Sequence, residues 1–135
     1  MAKAFVTGAT GFIGSHLVDE LLKKNYEIKT LIRKTSSTKW LENKPVEYIE
    51  GDLFSEDVLK NALEGVDYVF HVGGVTFAKK KEDFYRGNVD ATKSLLEAIY
   101  KYNPGIKKFV HVSSQAAVGP SFDGKPIDET RDYFP

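Results

Sequence analysis

The stretch VTGATGFIGSH, residues 6–16, decides the fold of this chain. It places Gly8, Gly11 and Gly14 at intervals of three residues, directly after a short apolar run. A helical pattern continues from it, although each glycine weakens a helix by about 0.5–1 kcal/mol relative to alanine. A requirement other than helix stability must therefore keep the backbone bare at this turn.

Short β-rich runs and longer helical runs alternate along the rest of the chain. The apolar patterns predict strands at 3–7, 26–33, 46–51, 66–72 and 106–114, and helices at 11–24, 55–63 and 81–103. Phe12 and Ile13 are expected in the apolar stripe of the first helix, which Asn25 would end in a left-handed conformation, and Ser55 is expected to cap the second helix. Strands separated by helix-length segments indicate parallel β-α-β units with right-handed crossovers. The predicted fold class is α/β, a doubly wound parallel sheet in the order 3-2-1-4-5 that stops after the fifth strand.

Composition excludes several classes of function. The chain carries 19 Lys plus Arg and 19 Asp plus Glu, so no net charge recruits nucleic acid or an acidic membrane. The absence of cysteine excludes disulfides and thiolate metal ligands, and no apolar run approaches the roughly 20 residues of a membrane span. We therefore expect a cytoplasmic protein that binds small molecules, without a metal site, a nucleic-acid partner or a membrane partner.

Three glycines between a strand and a helix have separate roles in a nucleotide-binding turn. The first permits a tight bend, the second lets the backbone approach a pyrophosphate, and the third lets helix and strand pack closely. The helix N-terminus offers unpaired N–H groups and a partial positive charge to the phosphates. The alternative is a tight turn without a ligand. The predicted dinucleotide site comprises Gly8, Thr10, Gly11, Phe12, Ile13 and Gly14.

This turn resembles that of extended short-chain dehydrogenases/reductases, the group that includes the NAD-dependent epimerase/dehydratase family. The resemblance covers the whole chain and continues in GDL (51–53), HVGGVT (71–76), NVDAT (88–92) and VHVSSQAAVGP (110–120). It implies that residues 1–135 form a Rossmann-type domain that binds NAD or NADP. It also implies that this domain is the N-terminal part of a longer enzyme, whose substrate-binding part is absent from the chain.

The resemblance assigns further residues to the cofactor. Asp52 would accept a hydrogen bond from the adenine amino group and Leu53 would add a backbone contact, although an aspartate after a strand also forms turns. Glycine at the end of a buried strand often marks close approach by a ligand, and the family usually carries alanine at the two glycines here. The remaining assigned wall residues are Val72, Gly73, Gly74, Val112 and Ser113.

Arg33 stands at the end of the second strand, where an acidic residue usually accepts a hydrogen bond from the ribose 2′-hydroxyl of NAD. A guanidinium can instead pair with a 2′-phosphate in bidentate fashion and stack on adenine. Lys34, Ser36 and Ser37 lie close in sequence. We therefore predict that NADP is preferred over NAD. The alternative is that Arg33 and Lys34 are ordinary solvated surface cations without a role in cofactor binding.

Two residues are candidates for the chemistry. Ser114 matches the family's catalytic serine when Gly119 is aligned with the glycine of the following turn, and it would hydrogen-bond a substrate oxygen, with Ser113 as the fallback. Asn88 falls on an apolar helix face, which predicts a buried amide with a structural hydrogen bond to nearby backbone. The resemblance implies that this amide holds backbone or water near the active site. We interpret His71 as a core histidine with satisfied ring nitrogens, not as a catalytic group.

The family's base is a tyrosine followed four residues later by a lysine that lowers the tyrosine pKa. None of the six tyrosines before Tyr133 has a lysine at that spacing, and the chain ends before Tyr133 can be tested. The resemblance thus implies the cofactor-binding part of an epimerase/dehydratase-type oxidoreductase that acts on a hydroxyl or carbonyl carbon, first of all in a sugar nucleotide.

Two other functions stay open on the sequence alone. One is an NADP-dependent ketone reductase or hydroxysteroid-type dehydrogenase, because SSQAAVGP (113–120) also resembles that branch. The other is a non-catalytic dinucleotide-sensing module. The fifth strand is also expected to leave an apolar edge exposed, which predicts pairing with a second copy of the chain as a homodimer.

Overall fold

The computed structural model describes residues 1–133, which contain one five-stranded sheet. Its strands are β1 (Lys3–Thr7), β2 (Glu27–Ile32), β3 (Val46–Glu50), β4 (Tyr68–His71) and β5 (Lys108–His111). Every pairing is parallel, and the order across the sheet is β3-β2-β1-β4-β5. The predicted doubly wound α/β fold is therefore confirmed.

Helices connect three of the four pairs of consecutive strands, whereas a loop without a helix joins β2 to β3. The helices are α1 (Phe12–Lys23), α2 (Glu56–Leu63), α3 (Lys81–Tyr85) and α4 (Ala91–Tyr102), and a short 3-10 turn follows β5 at Gln115–Ala117. The predicted helix 81–103 is interrupted, because a π-helical turn at Arg86–Asp90 separates α3 from α4. None of the helices within residues 1–133 has the length and apolar character of a membrane span.

Each face of the sheet is covered by its own apolar core, because successive side chains of a strand point to opposite faces. In the central strand β1, Phe5 joins the core formed with α2 and α4, whereas Ala4 and Val6 join the core formed with α1. All three side chains are fully buried. The sheet is thus a rigid two-sided platform, and the ends of β1 and β4 meet at the centre of its carboxyl edge.

Several local predictions are corrected at the element ends. Phe12 and Ile13 are 72% and 60% exposed and do not join the buried face of α1, which begins at Gly14. Ser55 is the N-cap of α2 by position, but its hydroxyl makes no capping bond. Glu56 and Asp57 in the first turn instead complement the helix dipole. Asn25 does end α1 in the predicted left-handed conformation, with φ of 59°.

The two strands beside the proposed site are shorter than predicted. β4 ends at His71 and β5 at His111, so residues 72–74 and 112–114 form loops at the carboxyl edge. Parallel α/β sheets bind ligands at this edge, where the chain turns from one side of the sheet to the other between the two central strands.

Candidate functional site

The turn after β1 is closed by backbone-to-backbone contacts that only glycine permits. Gly8 has φ of 72°, and a Cβ there would lie 2.6 Å from the Gly73 nitrogen. A Cβ at Gly14 would lie 2.1 Å from the Gly8 carbonyl oxygen. The first and third glycines are therefore required by the packing of the protein itself, as the sequence pattern predicted.

Gly11 differs from its two neighbours in the motif. Its backbone is extended, with φ of −85° and ψ of 174°, and a Cβ would meet only the Gly8 carbonyl oxygen, at an ordinary 3.4 Å. Neither conformation nor packing within residues 1–133 therefore demands glycine at this position. A ligand that lies against the backbone would leave no room for a side chain at this position. The middle glycine therefore fits a place beside a cofactor phosphate.

The N-terminus of α1 is suited to an anion. Gly11 is the N-cap and has no side chain to satisfy the first N–H groups, and the first turn holds no acidic residue. The N–H groups of Phe12 and Ile13 have no partner one turn earlier in the helix, so they and the helix dipole favour a phosphate there. The exposed Phe12 and Ile13 side chains flank this position, and Thr10 in the turn before it is half-buried.

Arg33 directly follows β2 at the same edge of the sheet and is exposed. Its backbone N–H donates to Ser36 Oγ at 3.0 Å, so Ser36 shapes the turn that carries the guanidinium. Lys34 Nζ lies 3.9 Å from Glu50 Oε1, whereas none of the ion pairs found within residues 1–133 involves Arg33. The Arg33 guanidinium therefore has no ion-pair partner among these residues, and its contact with a 2′-phosphate stays a prediction.

Asp52 and Leu53, assigned to adenine, occupy the loop after β3. Asp52 Oδ1 accepts from the Phe54 backbone N–H at 2.8 Å, which is the turn-forming role weighed as the alternative. The Leu53 carbonyl accepts from Ser94 Oγ at 2.5 Å and is thus held by α4. The adenine contacts of this loop stay predictions.

The loop after β4 is fixed to the π turn by Asn88. Its Oδ1 accepts from the Val75 N–H at 2.9 Å and its Nδ2 donates to the Val75 carbonyl at 3.0 Å. A Cβ at Gly74 would lie 2.9 Å from Asn88 Oδ1, which explains glycine where alanine was expected. Asn88 is exposed, so the prediction of a buried amide is wrong, because α3 and the π turn bury no residue within the described part of the chain.

The loop after β5 carries the candidate catalytic serines. The Val112 N–H donates to the His71 carbonyl at 3.0 Å, which keeps the start of this loop beside β4. Ser114 caps the 3-10 turn, since its Oγ accepts from the Ala116 N–H at 3.2 Å, and both Ser113 and Ser114 are exposed. A hydroxyl that accepts one bond still has its own hydrogen, so Ser114 can donate to a substrate oxygen.

His71 is confirmed as a satisfied core histidine. It is 1% exposed, its Nδ1 lies 2.7 Å from Thr7 Oγ1, and its Nε2 lies 2.9 Å from Thr92 Oγ1. Burial, with a smaller contribution from His111, lowers the pKa of His71 to about 4. The sequence reasoning missed both threonines. Thr92 stands one helical turn after Asn88, and Thr7 directly precedes the glycine turn, residues 8–14.

Comparisons with known proteins agree with this geometry. The sequence profile of the NAD dependent epimerase/dehydratase family matches residues 4–135. The chain is 38% identical over 128 residues to a putative dihydroflavonol 4-reductase from Synechocystis, covering 93% of the chain and 36% of the relative. It is 34% identical over 116 residues to ceramide reductase from Caulobacter vibrioides, covering 86% and 36%.

A solved structure extends the likeness to the fold. UDP-glucose 4-epimerase from Bifidobacterium longum, in complex with NAD+ and UDP, superposes with a TM-score of 0.84 at 28% identity, covering 98% of this chain and 43% of the epimerase. The chain thus spans less than half the length of each of these relatives. The profile match over nearly every residue shows that the protein belongs to the NAD-dependent epimerase/dehydratase family.

Proposed function

We propose that residues 1–135 are the cofactor-binding domain of an oxidoreductase and hold NADP or NAD at the carboxyl edge of the sheet. The observation that carries this proposal is Gly11, a glycine that the fold does not need at the N-terminus of a helix without an acidic first turn. When bound, the dinucleotide supplies a nicotinamide that accepts or donates a hydride. The chain's own residues bind it, orient it and present Ser114 beside it, in a cytoplasmic enzyme.

The proposed preference is for NADP, and it rests on Arg33. The residue directly after β2 is a cation whose guanidinium forms none of the ion pairs found within residues 1–133. A carboxylate at this place would accept from a 2′-hydroxyl and repel a 2′-phosphate, whereas a guanidinium attracts the phosphate and donates two parallel hydrogen bonds to it.

The proposed substrate class of the whole enzyme is a ketone or the corresponding secondary alcohol. Two curated relatives named as reductases are 38% and 34% identical to the chain, against 28% for the sugar-nucleotide epimerase. These identities favour the reductase or hydroxysteroid-type alternative over the sugar nucleotide that the sequence analysis ranked first. Ser114 would donate its hydrogen to the substrate oxygen, and Asn88 would keep the loop after β4 in place beside it.

Calorimetric titration of NADP and NAD into the chain and two variants tests the proposal. Arg33→Asp should weaken NADP binding by roughly tenfold to hundredfold, the loss of about one charge-assisted hydrogen bond, and leave NAD binding unchanged or tighter. Lys24→Asp makes the same change of charge at the opposite end of α1 and should alter neither affinity. Tighter binding of NAD than NADP by the unmodified chain would refute the preference, and binding of neither would refute the cofactor site.

A further inference from the structure

A chain of hydrogen bonds passes through the buried side chain of His71 and ends at backbone groups on both sides. At one end the Gly73 N–H donates to Thr7 Oγ1 at 3.1 Å, and Thr7 Oγ1 lies 2.7 Å from His71 Nδ1. At the other end His71 Nε2 lies 2.9 Å from Thr92 Oγ1, which donates to the Asn88 carbonyl at 2.6 Å. Every polar atom in this chain of groups therefore has a partner.

The Asn88 carbonyl fixes the direction of every bond in this network. A carbonyl oxygen only accepts, so the single hydroxyl hydrogen of Thr92 is used on Asn88. Nε2 must then carry the hydrogen that Thr92 Oγ1 accepts. A neutral imidazole with its hydrogen on Nε2 has a bare Nδ1, which accepts the hydroxyl hydrogen of Thr7.

The surroundings of His71 favour the neutral ring. Thr7 faces it from β1 and Thr92 from α4, and the rings of His111 and Phe109 lie beside it on β5, at centroid distances of 5.2 and 6.2 Å. None of these neighbours is a carboxylate that would stabilise an imidazolium. A positive charge on His111 would oppose a second charge on His71.

The network joins three segments of the proposed cofactor site. Thr7 leads into the glycine turn, and the Gly73 backbone lies directly against Gly8. Thr92 and Asn88 are one helical turn apart where the π turn meets α4, and the Asn88 side chain holds Val75. The glycine turn, the loop of residues 73–75 and the π turn are thereby connected through the His71 side chain.

We propose that His71, as a neutral imidazole protonated on Nε2, is a positioning residue for dinucleotide binding. It fixes the glycine turn and the loop of residues 73–75 relative to the π turn. His71 itself touches no cofactor or substrate, because it is almost completely buried. This inference rests on the proposed function. It adds that the Thr92 hydroxyl on α4, which contacts His71, affects the affinity of the glycine turn for the dinucleotide.

Two variants of Thr92 separate positioning from simple stability. Thr92→Val keeps the shape and removes the hydroxyl, so the Nε2 hydrogen loses its acceptor, whereas Thr92→Ser keeps the hydroxyl. We expect Thr92→Val to weaken NADP or NAD binding at least fivefold and to shift the amide resonances of Gly8, Gly73 and Val75. Thr92→Ser should restore the affinity to within twofold and leave those resonances in place.

The nitrogen chemical shifts of the His71 ring in the unmodified chain provide a measurement that needs no variant. A hydrogen on Nδ1 would overturn the proposal, and so would a Thr92→Val chain with lower thermal stability but unchanged affinity and amide resonances. If the unmodified chain bound neither dinucleotide, the proposed function would fail. The ring tautomer and the amide shifts at Gly8 and Gly73 would then still show whether His71 fixes these two loops relative to the π turn.

Discussion

Substitution of Gly11 by alanine separates the needs of the ligand from those of the fold. The added methyl group would lie 3.4 Å from its nearest neighbour, the Gly8 carbonyl oxygen, which is an ordinary contact. Alanine is a poorer N-cap than glycine, and the cost is about 1 kcal/mol or less. For a domain of this size that corresponds to a fall in melting temperature of about 4 °C or less.

The same substitution should strongly weaken dinucleotide binding. A phosphate held by the N–H groups at the start of α1 must lie against the Gly11 backbone, and a methyl group moves it away from at least one of them. A hydrogen bond to a charged group is worth about 1.5–3 kcal/mol, so affinity should fall roughly tenfold to more than hundredfold. Isothermal titration with NADP and NAD, beside a thermal melt of the same sample, measures both quantities.

Two further glycines provide the controls. A Cβ at Gly105 would meet nothing within 4 Å, so Gly105→Ala should leave the affinity unchanged. Gly14→Ala would force a methyl group to 2.1 Å from the Gly8 carbonyl oxygen, and we expect destabilisation by about 3 kcal/mol or more. An unchanged affinity in Gly11→Ala, or a loss of stability in it equal to that of Gly14→Ala, would refute the assignment of Gly11 to a phosphate.

Three other outcomes follow from the structure. The pKa of His71 is about 4 in the folded chain and 6.5 ordinarily, so the unfolded state binds more protons between these values. The free energy of unfolding should therefore rise by up to about 3 kcal/mol from pH 4 to 6.5, and urea titrations should show a smaller rise for His71→Gln. Hydride transfer by the 135-residue chain should be roughly 10²–10⁴-fold slower than by a full-length relative, because no Tyr-x-x-x-Lys pair supplies the base, and comparable turnover would contradict this. Light scattering should detect dimers or larger species, since β5 is an edge strand that leads into the 42% exposed Val112, and a strictly monomeric chain would refute this edge argument.

The order of the sheet could be predicted because each of its determinants is local. Apolar runs of strand length, helix-length separators and right-handed crossovers leave few topologies, and the glycine turn marks which strand is central. Gly8 and Gly14 could likewise be predicted, because a side chain at either position would collide with backbone packed against the turn. The Gly8–Gly73 contact adds a second strand, yet it follows from the pairing of β1 with β4.

The π turn could not be predicted from periodicity, because its cause lies in another segment. A Cβ at Gly87 would lie 2.1 Å from Val75 Cγ2, so the helix backbone passes unusually close to the loop after β4. Asn88 then binds both backbone groups of Val75. Neither of these contacts changes the spacing of apolar residues along the sequence, so that spacing still predicts a continuous helix.

The local predictions that fail lie largely at one edge of the sheet. Phe12 and Ile13 are exposed where a helix stripe predicts burial, Asn88 is exposed where an apolar face predicts a buried amide, and β4 and β5 end before their apolar runs do. Elsewhere pattern and structure agree, as in the fully buried Phe5. Natural sequences depart from local rules mainly at functional sites. The position of these departures at the carboxyl edge of the sheet therefore supports the proposed cofactor edge independently of any motif, because burial and strand length define each departure and the glycines do not.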